Sequence, residues 1–257
     1  MRDGVLRRVG VRVMVPLLVV VVVVVIALAI GRDEDGSSTP GVPADGNVPD
    51  EVLARVAVAA VHVRSEACFR SQRGSGVVVG EDLVVTNAHV VAGAPGAQIV
   101  PVGGDPVPAD VVAYDPDQDV AVLRATGLGI EPVSSADQVA STGLVLGVPS
   151  ADAVTPIPFR VERQVTLRVS DIYGDHPVGR AVLELVADIR SGDSGGGLID
   201  PDGRLVGVIF AASGDDSGRA YALTLDTIDS ILAGPLDQPV GTGDCLEPDT
   251  ESERLAG

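Results

Sequence analysis

From about residue 59 to residue 225 the chain is a succession of short apolar runs, each closed by Gly, Pro or Asp. Runs of this length are too short for helices and suit strands. Candidate strands are 59–64, 75–80, 83–86, 97–102, 107–114 and 120–124, then 143–148, 158–169, 181–187, 196–200, 204–211 and 219–224. Several alternate with period two, as Phe159-Arg160-Val161-Glu162-Arg163 does, which buries one face of a strand and wets the other. A Gly- and Ser-containing bridge at 125–142 separates two groups of six. An all-β fold follows, with two six-stranded antiparallel barrels; a single sandwich is the runner-up and leaves strands unplaced. With no Trp and only three Phe, the core must be aliphatic. Short helices are expected at 51–57, with Asp50 as cap, and from Thr224 to about Leu232.

Charge divides the chain sharply. Residues 1–31 hold four arginines and one acid, and the remainder holds the other 14 basic residues, all arginine, against 35 acids. A formal charge of −18 argues against nucleic acid as a partner, which needs a basic face. Between the two regions, residues 13–30 are uncharged and almost wholly apolar. At about 1.5 Å per helical residue they reach roughly 27 Å, enough for a bilayer core. Arginines before the run and acids after it put the N-terminus in the cytoplasm. The reading is a single transmembrane anchor with the rest of the chain periplasmic or extracellular; a signal peptide cleaved near Ala27-Leu28-Ala29 is the alternative. Residues 31–49, rich in Gly, Ser, Pro and Asp, read as a flexible linker, and 246–257 as an acidic, disordered tail. Cys68 and Cys245 lack metal or redox spacing. In an oxidising compartment they are expected to pair; otherwise they are two separate buried thiols.

Chemistry concentrates in Arg190-Ser191-Gly192-Asp193-Ser194-Gly195-Gly196-Gly197. Glycines on both sides of Ser194 free the backbone to take unusual conformations and let N–H groups point at whatever meets the hydroxyl. By itself the octapeptide fits a nucleophile or a surface turn equally. Three histidines compete for the role of base. His62, in an alternating run, reads as a strand surface residue, and His176 lies in a polar loop. His89 closes Leu83-Val84-Val85-Thr86-Asn87-Ala88-His89, where a strand ends, so its ring can be aimed and still reach solvent. Asp119 leads into the apolar strand Val120-Ala121-Val122-Leu123, and a carboxylate entering a core needs a partner such as an imidazole N–H.

The order His89, Asp119, Ser194 with these flanks resembles the chymotrypsin-like serine proteases, in particular the bacterial trypsin-like group that includes the HtrA proteases. Gly74-Ser75-Gly76, Thr86-Asn87-Ala88-His89, Asp119-Val120-Ala121-Val122-Leu123 and Gly192-Asp193-Ser194-Gly195-Gly196 stand in family order, and the likeness spans about residues 55–232. Asp171-Ile172-Tyr173-Gly174-Asp175, Ala187-Asp188 and a cysteine near each end add a particular likeness to the membrane-anchored periplasmic protease with which mycobacteria resist acid. The resemblance implies a protease domain at 50–245 behind a cytoplasmic segment at 1–12 and the anchor at 13–30, and a Cys68–Cys245 disulfide. It implies peptide-bond hydrolysis of protein or peptide substrates, with Ser194 as nucleophile, His89 as base and Asp119 as orienting carboxylate. It also implies an oxyanion hole from the Gly192 and Ser194 N–H groups. Phe210, Ala211 and Ala212 correspond to the strand that pairs with substrate main chain. Asp188, six residues before Ser194, occupies the position that reads basic side chains in trypsin-like enzymes, or is a structural acid. In digestive relatives a freed N-terminus pairs with the aspartate before the serine. Asp193 therefore needs another partner here, or sits in a loop that a substrate or the disulfide must order. The rival from another class is an inactive, protease-like binding or anchoring domain that keeps the cleft without turnover. No cofactor and no metal are expected.

Overall fold

A computed structural model describes residues 46–212 and 218–246. The proposed anchor at 13–30, most of the linker and nearly all of the acidic tail lie outside the described residues. Among the described residues no helix is long and apolar enough to cross a membrane.

Among the described residues twelve strands form two closed barrels. The first contains β1 (Ala60–Ala67), β2 (Arg70–Gly80), β3 (Leu83–Thr86), β4 (Ala97–Pro101), β5 (Val107–Asp115) and β6 (Val120–Arg124), ordered β1-β2-β3-β6-β5-β4 and closed by β1 against β4. The second contains β7 (Thr142–Gly147), β8 (Thr155–Ser170), β9 (Pro177–Val186), β10 (Gly197–Ile199), β11 (Leu205–Ala212) and β12 (Arg219–Thr224), ordered β10-β11-β12-β9-β8-β7 and closed by β10 against β7. Every ladder is antiparallel, as the short connections dictate. Closure removes sheet edges that would otherwise invite aggregation.

Period-two alternation decides which core each side chain joins. In β7, Val145 enters the second barrel, beside Phe159, Leu183, Leu185, Leu198 and Ile209. Its neighbours Leu144 and Leu146 point the other way, into a core shared with Val61, Val77, Val84 and Val122 of the first barrel. Both faces of β7 are thus buried, which is why it reads as a continuous apolar run. At about 1.5–3 kcal/mol for each buried aliphatic side chain, these two clusters supply the main driving force for folding.

Among the described residues three helices accompany the barrels. α1 (Asp50–Val56) continues into a 3-10 turn at Ala57–Ala59, α2 (Ala88–Val91) is a single turn, and α3 (Leu225–Leu232) closes the domain. Asp50 is the first helical residue and not the cap; Pro49 occupies the cap position and no side chain bonds there. Pro49 still serves, because its carbonyl accepts the Val52 and Leu53 N–H groups, both at 2.9 Å. The bridge contains no strand, only a lone pairing of Ser135 with Leu205. Asp82 anchors its start by accepting the Gly127 and Leu128 N–H groups, each at 3.0 Å.

After α3 the chain returns across the first barrel. The Val240 N–H meets the Val111 carbonyl at 2.8 Å, and the Thr242 hydroxyl donates to the Ala94 carbonyl at 2.7 Å. Cys245 then bonds Cys68 at the β1–β2 turn, with Cα atoms 6.1 Å apart and a sequence separation of 177. The cysteine pairing is therefore present, and it fastens the last segment to the first hairpin. Closing so long a loop restricts the unfolded chain. Replacing both cysteines by alanine is expected to lower unfolding stability by about 2–5 kcal/mol. Urea melts of the full chain with and without reductant check this: the reduced wild type should match the double variant.

Candidate active site

The site lies where the two barrels meet, and each barrel supplies part of it. From the first barrel come His89, in the single turn α2 after β3, and Asp119, just before β6. The strand ends at Thr86, and His89 follows in a single helical turn that starts at Ala88. Asp119 takes a left-handed backbone conformation, φ 57°, which swings its side chain back toward α2. Its carboxylate receives the His89 Nδ1–H at 2.8 Å and the His89 backbone N–H at 3.0 Å. The buried Asn87 amide donates to the Asp119 carbonyl at 2.9 Å, so the turn is held from both sides.

Asp119 is 4% exposed. Burial alone would push its carboxyl up. The His89 ring, its hydrogen bonds and the Arg180 charge together outweigh that and hold the group below the usual carboxylate range. The sign for stability follows: a depressed carboxyl contributes stability that is present above about pH 4 and lost as pH falls through its folded value.

The second barrel supplies the octapeptide, between β9 and β10. Gly192 and Gly195 have φ of 95° and 88°, in the left-handed region that favours glycine. A Cβ on Gly195 would collide with the Ser75 carbonyl and the Thr86 hydroxyl, and one on Gly192 would reach Pro149 at 2.9 Å. The flanking glycines are thus required both by the backbone conformation and by close approach.

What holds this loop is a buried serine of the first barrel. The Ser75 hydroxyl donates to the Gly192 carbonyl at 2.8 Å and accepts the Val148 N–H at 2.7 Å, while the Ser75 N–H donates to the Ser194 carbonyl at 2.7 Å. Thr86 in turn donates to the Ser75 carbonyl at 2.7 Å. On the other side the Gly195 N–H reaches the Ile209 carbonyl at 2.9 Å. Asp193 is buried and accepts the Arg190 N–H at 2.9 Å, closing a tight turn within the loop. That N–H is the partner it was expected to need, and no chain terminus takes part in the bond. Burial pushes the Asp193 carboxyl up, although the Arg190 N–H and charge pull it down. A raised carboxyl contributes stability that is full below about pH 4 and lost as pH rises through its folded value.

His89, Asp119, Ser194, Phe210, Ala211 and Ala212 line one cavity of about 350 Å³, together with Ile172, Arg180 and Ile189. Asp188 does not line it. Its carboxylate is two-thirds exposed and pairs with Arg190 at 2.8 Å. At the end of the β9 region the Asp188 side chain turns outward to Arg190, the placement of a structural acid. His62 is also corrected. It is 6% exposed, and its Nδ1–H donates to the Val148 carbonyl at 2.9 Å, joining β1 to the segment after β7. His176 lies at the tip of the β8–β9 hairpin, its two ring nitrogens facing Asp117 at 3.1 Å and Asp171 at 3.5 Å. One ligand atom from each of Asp117, Asp171 and His176 lies within 4.8 Å of the others, close enough that the group could hold a metal ion, although exposed acidic groups commonly lie this close without one.

Ser75, Asn87 and Arg180 carry structural weight at the site to which the sequence reading gave no role. For Ser75 the signal was present, since it stands in the Gly74-Ser75-Gly76 block that forms part of the family resemblance.

A family profile described as the trypsin-like peptidase domain matches residues 74–208. The chain is 40% identical over 224 residues to serine protease Rv3671c of Mycobacterium tuberculosis, covering 83% of this chain and 56% of that protein. It is 32% identical over 155 residues to the serine protease Do-like HtrA of Lactococcus lactis, covering 54% of this chain and 36% of that one. Among solved structures, the active form of the Rv3671c protease superposes with a TM-score of 0.74 at 39% identity, covering 82% of this chain and 97% of that one. The inactive form gives 0.66 at 38% identity, covering 75% and 96%. The chain spans little more than half the length of the first of these relatives. A match over more than half the chain, a double barrel and a His–Asp pair beside a glycine-flanked serine converge on one conclusion: the chain belongs to the trypsin-like peptidase family.

Proposed function

We propose that the protein is a serine endopeptidase that hydrolyses peptide bonds through an acyl-enzyme. The observation that carries this reading is the buried Asp119 carboxylate bonded to His89 Nδ1–H beside a cavity that Ser194 also lines. A carboxylate on Nδ1 fixes the tautomer whose Nε2 is free of a proton, the form that can accept one from a serine hydroxyl. Ser194 Oγ attacks the scissile carbonyl, His89 takes the proton and returns it to the leaving amine, and Asp119 stabilises the imidazolium between the two transfers. Gly192 and Ser194 N–H groups form the oxyanion hole, a role supported by the Ser75 bond that turns the Gly192 carbonyl toward the first barrel.

The substrate strand lies along Phe210, Ala211 and Ala212. The cavity beside Ser194 is walled by Ile189, Phe210 and Ala212 and takes no acid from Asp188. An uncharged apolar side chain therefore fits there better than a basic one. We also read residues 13–30 as a membrane anchor behind the cytoplasmic segment 1–12, with 31–49 as linker, 50–245 as the exported catalytic domain and 246–257 as tail.

Full-length protein in detergent should react with a fluorophosphonate probe and cleave peptides, and Ser194→Ala should do neither. Asp119→Asn, which keeps shape but loses the charge, should lower kcat by roughly 10³–10⁴. It should also lack the part of acid destabilisation that Asp119 contributes below about pH 4 in the wild type. Labelling of Ser194→Ala would overturn the nucleophile assignment. A peptide-library profile of Asp188→Ala should match the wild type; a lost preference for Arg or Lys would restore the pocket-acid reading. Finally, the full chain should stay with membranes after alkaline carbonate extraction, and recovery in the supernatant would exclude the anchor.

A further inference from the structure

We propose that Arg180 is a positioning residue for this chemistry. From β9 of the second barrel it clamps the Asp115–Asp119 turn of the first and uses the Phe210 ring as its platform. The inference rests on the Ser194–His89–Asp119 reading and extends it.

Arg180 is 5% exposed. Its Nε–H and Nη2–H both donate to the Asp117 carbonyl, at 3.1 and 2.7 Å. That carbonyl lies two residues before Asp119, inside a turn that Asp115 closes by accepting the Asp117 and Gln118 N–H groups, each at 2.9 Å. The guanidinium carbon stands 5.0 Å from the centroid of Phe210, a ring that also lines the cavity. Burying an arginine costs hydration, which its hydrogen bonds and nearby negative charge offset. Asp119 lines the same cavity, and the Arg180 charge contributes to holding its carboxyl low. The guanidinium is planar and rigid, so one side chain can fix the turn through two N–H groups and stack on Phe210 as well.

Other charges face the same region. Asp171, from the β8–β9 tip, and Arg190, from the octapeptide, line the cavity, while Asp117 and His176 pair on its rim. The Ile172 N–H also reaches the Pro116 carbonyl at 3.2 Å. The β8–β9 hairpin thus meets the turn that carries Asp119 through Arg180, Ile172, His176 and Gly179, and of these Arg180 is the buried cation.

The test is a comparison of wild type, Arg180→Met and Arg180→Lys as full-length chains, by peptide cleavage across pH and by thermal melting. Arg180→Met should lower kcat about 10- to 100-fold through misplacement of Asp119 and His89, with KM changed less than about threefold. The acidic limb of kcat/KM, where His89 takes up a proton, should rise by roughly 0.5–1 pH unit once the cation no longer opposes that uptake. Arg180→Lys should restore the limb and recover only part of kcat, because an ammonium keeps the charge without the planar fork. If the limb stays fixed in Arg180→Met, or activity falls only with the folded fraction, the residue is structural and the proposal is overturned. A wild type that neither labels nor cleaves would overturn the reading beneath it; an active wild type with an unmoved limb overturns the proposal alone.

Discussion

The arrangement depends on a buried carboxylate. Asp119 sits at the mouth of the first barrel, nearly sealed from water, and an ionised group there is stable only while its partners are in place. His89 supplies two of those partners, its ring and its backbone N–H, and Arg180 supplies a charge from the other barrel. This need accounts for local oddities that would otherwise be unexplained. They include the left-handed backbone at Asp119, the one-turn helix that carries His89, and an arginine buried between two sheets. Each is unfavourable alone and tolerated because the others answer it.

A second constraint is the seam between the barrels. The loop that carries Ser194 belongs to the second barrel, yet its main chain is fastened to Ser75 of the first by hydrogen bonds from both the hydroxyl and the N–H. The same hydroxyl holds Val148. One small side chain therefore registers three segments, and removing it would leave buried polar groups without partners, which is costlier than losing a surface bond. Asp193 completes the loop from within by taking the Arg190 N–H. Among the described residues, the loop that carries Ser194 is ordered by contacts inside the folded domain.

Much of this was legible in the sequence because it is local. Period-two alternation and turn residues located all twelve strands, with β3, β6 and β12 matching to the residue, since a strand's two faces are written in adjacent positions. Ends were less well marked. β2 begins at Arg70, several residues before its apolar run, because polar residues such as Arg70 and Gln72 continue the ladder with β1 through backbone bonds that no side chain announces. His62 misled because alternation tells which side of a strand a residue faces and not whether that side is covered; here the segment after β7 covers it.

By itself, then, the sequence determined the all-β class, the division into two sets of six strands, the candidate triad residues and the cysteines. These follow from residue chemistry, short-range pattern and the order of a few blocks along the chain. Only the tertiary structure decided that Asp188 turns outward to Arg190, that Ser75 holds the serine loop, and that Arg180 reaches across to the Asp119 turn. Those contacts join residues of different barrels, or depend on a side chain's direction at a loop. No period or spacing encodes them, because they arise from how two closed sheets pack against each other.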